Sequence, residues 1–170
     1  MFTPDFKDYD LEFTRLSNRP ATEYIVIHHT GNPTDDDLSA EEIHESHLNQ
    51  GWAGIGYHFV IRKDGTIELG RPMETIGAHA YGYNAKSIGI HLCGNFDIAS
   101  PTDAQIESCA ALVAWLIDEY NDLDTDSVVG HRDLNATSCP GETLYNQLDT
   151  IKGKANWYLE HYKNGYYDGK

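Results

Sequence analysis

The run Glu23-Tyr24-Ile25-Val26-Ile27-His28-His29 constrains this chain more than any other stretch. Its aromatic and β-branched residues favour a strand, and its apolar residues follow one another without alternating with polar ones. A strand with one wet face alternates, whereas a continuous apolar run belongs to a strand covered on both faces. The fold must therefore place a layer on each side of a sheet and accommodate two adjacent imidazoles where this strand ends. At 170 residues the chain can bury such a core within one domain and is short for two.

The remaining elements are consistent with that demand. Ser39, with Glu42 three residues on, forms a capping-box pattern for a helix from Ala40 to about Asn49, ahead of Gly51. Gly56 to Arg62 reads as a strand, Lys63-Asp64-Gly65 as a hairpin turn, and Thr66 to Gly70 as the antiparallel return. Ile88 to Leu92 is a further short strand. Thr102 with Gln105 caps the longest helix, Asp103 to Tyr120, whose Ile106, Cys109, Ala110, Val113, Leu116 and Ile117 fall on one stripe. Ser127-Val128-Val129 forms a brief strand leading into Gly130-His131, and Gly141 to about Ile151 reads as the last helix. Interspersed strands and helices predict an α/β (α+β) single domain, a central mixed β-sheet flanked by helices. Residues 1–20 read as an N-terminal arm packed on a domain of residues 21–151. Residues 152–170, with Trp157, Tyr158, Tyr162, Tyr166 and Tyr167, are a C-terminal extension: either a helix packing on the domain or a short wall- or partner-binding tail.

A formal net charge of -15 with 12 Lys and Arg argues against phosphate backbones and anionic lipid surfaces as partners, so no nucleic acid is expected. Three cysteines, Cys93, Cys109 and Cys139, imply no disulfide framework. The first residues carry neither a basic n-region nor an apolar h-region, and no apolar run reaches the roughly 18 residues of a membrane span. The expectation is a monomer without membrane insertion, made in the cytoplasm without a signal peptide.

The chemistry concentrates in Gly130-His131-Arg132-Asp133-Leu134-Asn135-Ala136-Thr137-Ser138-Cys139-Pro140-Gly141, where an imidazole and a thiol lie eight positions apart. That segment spans at most about 28 Å extended, and a loop folded on itself closes it. With one upstream histidine it supplies three ligands, the number a catalytic zinc site uses while leaving the fourth tetrahedral position to water. Spacing alone is a weak signal for such a site.

Six motifs in register say more. Ile25-Val26-Ile27-His28-His29-Thr30, Gly51-Trp52-Ala53-Gly54-Ile55-Gly56-Tyr57-His58-Phe59, Lys63-Asp64-Gly65, Gly77-Ala78-His79-Ala80-Tyr81-Gly82-Tyr83-Asn84, Ser87-Ile88-Gly89-Ile90, and Gly130-His131-Arg132-Asp133 with Cys139-Pro140 closely resemble the zinc-dependent N-acetylmuramoyl-L-alanine amidases. That family includes the phage T7-type lysozyme and the peptidoglycan recognition proteins, and the likeness runs from about Tyr24 to about Ile151. It implies one Zn2+ per chain held by His28, His131 and Cys139, with His29 a hydrogen-bonded neighbour. The choice of His28 over His29 rests on the resemblance, since a doubly buried strand gives no parity argument.

The resemblance further implies that Tyr57 orients the water or donates a hydrogen bond to the developing oxyanion; the alternative for Tyr57 is a core aromatic on a strand. Two residues before the cysteine, where T7-type enzymes carry a catalytic lysine, this chain has Thr137, as catalytic recognition proteins do. Threonine brings a hydroxyl and no charge. His79 and Asn84 match positions lining the peptide groove, with loop stabilisation as their alternative. His47 also falls on a family histidine, though a helix position favours a structural role. The implied reaction is hydrolysis of the amide between N-acetylmuramic acid and L-alanine in peptidoglycan, by a phage or prophage endolysin acting on the wall after release, or by a secreted effector. The dipeptide that sorts lysine from diaminopimelate stem peptides falls on Pro72-Met73, which fits neither pattern.

Other readings compete. Cys139, His131 and Asp133 are the residue types of a thiol hydrolase's nucleophile, base and orienter, and some recognition proteins only bind peptidoglycan. His44-Glu45-Ser46-His47 lacks the His-Glu-x-x-His order of a zincin and reads as a solvated helix face. Asp35-Asp36-Asp37 has no surrounding calcium loop and reads as a solvated charge run. Cys93 and Cys109 read as core thiols.

Overall fold

A computed structural model describes residues 3–163 and 166–167. One sheet contains β1 (Phe6–Lys7), β2 (Tyr24–His29), β3 (Phe59–Ile61), β4 (Ile67–Leu69), β5 (Ser87–Leu92) and β6 (Val128–Gly130), in the spatial order β1-β4-β3-β5-β2-β6. Only the β3–β4 hairpin is antiparallel, so the sheet is mixed. β2 lies between β5 and β6, and its Ile25, Val26 and Ile27 are completely buried, as the unbroken apolar run requires.

The two faces are covered unequally. On one, Ile25 and Ile27 join Phe59, Ile88 and Ile90 against α2 (Asp103–Glu119) and the helix Leu148–His161. On the other, Val60 and Cys93 pack with Ala40 and Ile43 of α1 (Ala40–Asn49), Ile55, and Tyr9, Leu11 and Phe13 of the arm. Both expected capping boxes are present, at Ser39 and at Thr102. Gln105, fully buried, also donates to the carbonyls of Ile61 and Cys93, tying the start of α2 to the sheet.

The first residues add an edge strand: β1 pairs in parallel with β4, and Phe6 meets Phe59 and Trp115. The buried carboxylate of Glu68 accepts from Tyr9 Oη, the Ala40 N–H and Arg62, joining arm, α1 and hairpin. Regular pairing in the first hairpin strand is confined to β3, so Tyr57 precedes it. The chain turns at Gly56 to lie against Ala78, whose carbonyl oxygen a Cβ on Gly56 would meet at 2.1 Å.

Three local readings are corrected. The single last helix expected over Gly141 to about Ile151 is a short turn, α3 (Glu142–Tyr145), followed by α4 (Leu148–His161). The apolar spacing Leu148, Ile151, Ala155, Tyr158 and Leu159 carries α4 onto the core, so the expected end of the domain at 151 falls inside a packed helix. The segment His44–His47 is not a solvated face, because His44 and His47 share the inward stripe with Ile43. His44 Nε2 donates to Glu12 O and its Nδ1 accepts from the Ile55 N–H, while His47 Nδ1 accepts from the Gly56 N–H. Asp35 and Asp37 are ion-paired with Lys63 and Arg62 and hold their loop to the β3–β4 hairpin, so these carboxylates are not merely solvated.

Past α4, β7 (Tyr162–Lys163) and β8 (Tyr166–Tyr167) form an antiparallel ribbon. Residues 164–165 and 168–170 of the expected tail lie outside the described residues. Among the described residues no helix is long and apolar enough to cross a membrane.

His58 makes the fold acid-sensitive. Its Nε2 donates to Thr75 O and its Nδ1 accepts from the Gly89 N–H, and burial lowers its pKa from 6.5 to about 3. Between about pH 3 and 6.5 the unfolded chain binds a proton there that the folded chain refuses, so this contribution is complete above 6.5 and lost as pH falls. By pH 5 the loss is about 2 kcal/mol from this ring. The urea midpoint of the metal-free protein is therefore expected to drop steadily from pH 7 to pH 5; a flat midpoint would show that the ring titrates normally.

Candidate metal centre

The centre forms where parallel strands end. β2 and β6 run side by side with Ile27 opposite Gly130, so the next residues, His28 and His131, emerge together with ring centroids 4.5 Å apart. Open α/β sheets characteristically bind ligands at this carboxyl edge. The loop from His131 to Cys139 folds back on itself. Asp133 Oδ2 accepts from the Gly130 N–H, while the Arg132 N–H and Nη2 donate to Cys139 O and Ser138 O, which closes the loop and returns the thiol to β2. Gly141, at φ +89, lets the chain leave past His29 and Phe96.

Among the described residues His28, His131 and Cys139 form the one cluster of metal-type donors, with ligand atoms all within 4.8 Å of one another. His28 Nδ1 lies 3.6 Å from Cys139 Sγ. A tetrahedral zinc with usual Zn–N and Zn–S lengths puts such a pair about 3.5 Å apart, so the donors fit that ion. His29 points to the opposite face, where its Nδ1 accepts from the Phe96 N–H, while its own N–H donates to Cys139 Sγ at 3.4 Å.

Burial drives His28 well below the ordinary imidazole pKa, assisted by His79 and His131, and burial also lowers His131. Both rings are therefore neutral and offer lone pairs. Burial pushes the Cys139 thiol up to about 12, against the opposing His29 N–H and Arg132. A bound cation converts such a thiol to thiolate. The thiol-hydrolase arrangement is not assembled, because Asp133 bonds Gly130 N–H and Tyr145 Oη, whereas His131 Nε2 faces Asn135 Oδ1 at 2.9 Å.

Tyr57 stands beside the centre, its ring 5.1 Å from that of His28 and 4.7 Å from that of His91. Burial, with Cys139 adding, raises its pKa well above the usual phenol range, so the hydroxyl keeps its proton. Two hollows flank Tyr57. One of about 590 Å³ is lined by Trp52, His79, Tyr81, Asn84, His131 and Thr137. The other, about 710 Å³, lies against α1 and includes Thr30, His47 and His91. His79 thus reaches both the groove and His28, whose Nε2 is 2.8 Å from its Nδ1. Asn84 lines the groove while its Oδ1 accepts the His79 and Ala80 N–H groups. Thr137 Oγ1 accepts from the Cys139 N–H at 3.2 Å.

Sequence reasoning missed His91 and Asn135. His91 is opposite His28 across β2–β5, and its Nε2 lies 3.0 Å from Thr30 Oγ1. A lone polar residue inside an apolar strand was its available signal. Asn135, one turn after His131 in the ligand loop, had no signal beyond proximity.

Two imidazoles and a thiol whose donor atoms lie within 4.8 Å of one another, beside a protonated phenol and a groove, make a donor set able to hold a metal on a mixed α/β fold. Residues 17–142 match the family model described as N-acetylmuramoyl-L-alanine amidase, and the chain belongs to that family. It is 35% identical over 136 residues to an endolysin of Klebsiella phage KP32, covering 76% of this chain and 87% of that protein. It is 36% identical over 140 residues to peptidoglycan-recognition protein SC2 of Drosophila melanogaster, covering 79% and 74%. The solved amidase LysC from Clostridium intestinale URNW superposes with a TM-score of 0.82 at 40% identity, covering 91% of this chain and 99% of that one. The expected family, fold class and amidase activity therefore hold.

Proposed function

We propose that this amidase is a zinc-dependent endolysin that cleaves the amide between the lactyl group of N-acetylmuramic acid and L-alanine of the stem peptide. The observation that carries the reading is the donor set of His28, His131 and Cys139, whose spacing fits one tetrahedral zinc. When bound, zinc supplies Lewis acidity and lowers the pKa of a water ligand toward about 7. The chain's own residues do the rest. Tyr57, held protonated by burial, donates a hydrogen bond to the oxyanion of the tetrahedral intermediate. Thr137 accepts from the Cys139 N–H through its oxygen, which leaves its hydroxyl hydrogen for the groove. His79 and Asn84 shape the groove wall that contacts the stem peptide, and the peptide departs as an amine. The enzyme acts on the cell wall as a monomer, after synthesis in the cytoplasm. The endolysin assignment is supported by the phage relative at 35% identity.

Metal analysis paired with mass spectrometry of digested muropeptides tests this. The expected result is zinc near one per chain and free stem peptides. New reducing sugar ends with intact muramoyl–peptide linkages would reject it.

A further inference from the structure

The two histidine donors are held from behind by one loop. Ser87 Oγ donates to Tyr83 O at 2.8 Å, and a backbone carbonyl only accepts. Ser87 therefore offers lone pairs to the ring nitrogen facing it at 3.3 Å, His79 Nε2, which must carry the proton. A neutral imidazole has one N–H and one lone pair, so His79 Nδ1 accepts, and His28 Nε2, 2.8 Å away, donates. The lone pair of His28 is thereby left on Nδ1, the nitrogen beside Cys139 Sγ.

His131 follows the same logic through an amide. Asn135 Nδ2 donates to Tyr81 O at 3.0 Å, which turns its Oδ1 toward His131 Nε2 at 2.9 Å and requires an N–H there. Its lone pair too is left on Nδ1. Both chains of hydrogen bonds end on carbonyls of one loop, those of Tyr81 and Tyr83, and Asn84 Oδ1 pins that loop by accepting the His79 and Ala80 N–H groups. Gly89 leaves room for the device: a Cβ there would lie 2.7 Å from the His79 ring.

We infer that the loop from His79 to Asn84 selects the tautomer of both histidine ligands, with His79 and Asn135 as positioning residues, so that each ligand presents its Nδ1 lone pair to the metal. This rests on the zinc reading proposed above. It gives the groove wall a second duty, since the loop that meets the substrate also fixes the donors.

The test measures zinc dissociation constants by chelator competition, together with long-range ¹H–¹⁵N spectra of the imidazoles in the metal-free protein. Asn135→Leu and His79→Phe are each expected to weaken zinc by about 10–100-fold, the usual cost of losing an outer partner of a metal-bound histidine. Asn135→Asp is expected to bind near wild-type, because a carboxylate accepts from His131 Nε2 although it cannot donate to Tyr81 O. A role in loop packing alone would predict loss in Asn135→Asp as well, so that loss overturns the inference. Spectra of the metal-free wild type are expected to show both ligands protonated at Nε2. Protonation at Nδ1, or wild-type zinc affinity in Asn135→Leu with an unchanged urea midpoint, would also overturn it. Should His79→Phe fail to fold, the Asn135 pair decides. A wild-type protein that binds no zinc would instead reject the proposed function and this inference with it.

Discussion

Cys139→Ala is expected to empty the metal site and reduce amide hydrolysis by more than about 10³-fold, to the background of the assay. The thiol is the only member of the donor set that becomes an anion on binding a cation, and the two imidazoles that remain are neutral. Zinc sites of this class use three protein donors, so two weak ones fall short. The chemistry lost is large because water without a metal has a pKa near 15.7 rather than about 7. Cys139 belongs to neither apolar cluster, so the fold is expected to survive the change. Zinc content and turnover on muropeptides are read together, with circular dichroism to verify folding. Retained turnover in a variant free of zinc would remove the metal from the mechanism.

Tyr57→Phe separates catalysis from metal binding. The substitution removes one oxygen and leaves the ring packed between His28 and His91, so zinc should stay bound at one per chain. Turnover is expected to fall by about 10²–10³, the usual cost of removing one oxyanion donor, with little change in KM. Because burial holds the phenol protonated, wild-type activity should also show no alkaline decline from Tyr57 within the range where the fold is stable. A variant with wild-type kcat would reduce Tyr57 to the core aromatic that its apolar context alone suggests.

Local chemistry was legible in the sequence where it is closed within a few residues. The capping boxes at Ser39 and Thr102 join positions three apart, and the Lys63-Asp64-Gly65 turn joins adjacent strands, so each was read at the right place. Elements decided by distant partners were less readable. β1 is two residues long and is a strand because Phe6 finds β4, Phe59 and Trp115. α4 extends past 151 because its apolar face meets α2. His44 and His47 turn inward because backbone N–H groups at Ile55 and Gly56 need acceptors there.

By itself the sequence determined that a doubly covered strand ends in two histidines, and that a Gly- and Pro-bounded loop carries His131 and Cys139. Together with the neighbouring motifs, those segments were enough to indicate the family. Apart from the family resemblance, nothing in the chain's own pattern told the two histidines apart; the tertiary structure shows which of them faces the centre. Successive residues of a strand point to opposite faces, and both faces of β2 are buried, so polarity could not distinguish them. The register of β6 against β2 placed His28 beside His131 and left His29 to Phe96. The outer partners were equally out of reach, because His79 and Asn135 act through hydrogen bonds to residues 51 and four positions away, whose meeting is a property of packing rather than of pattern.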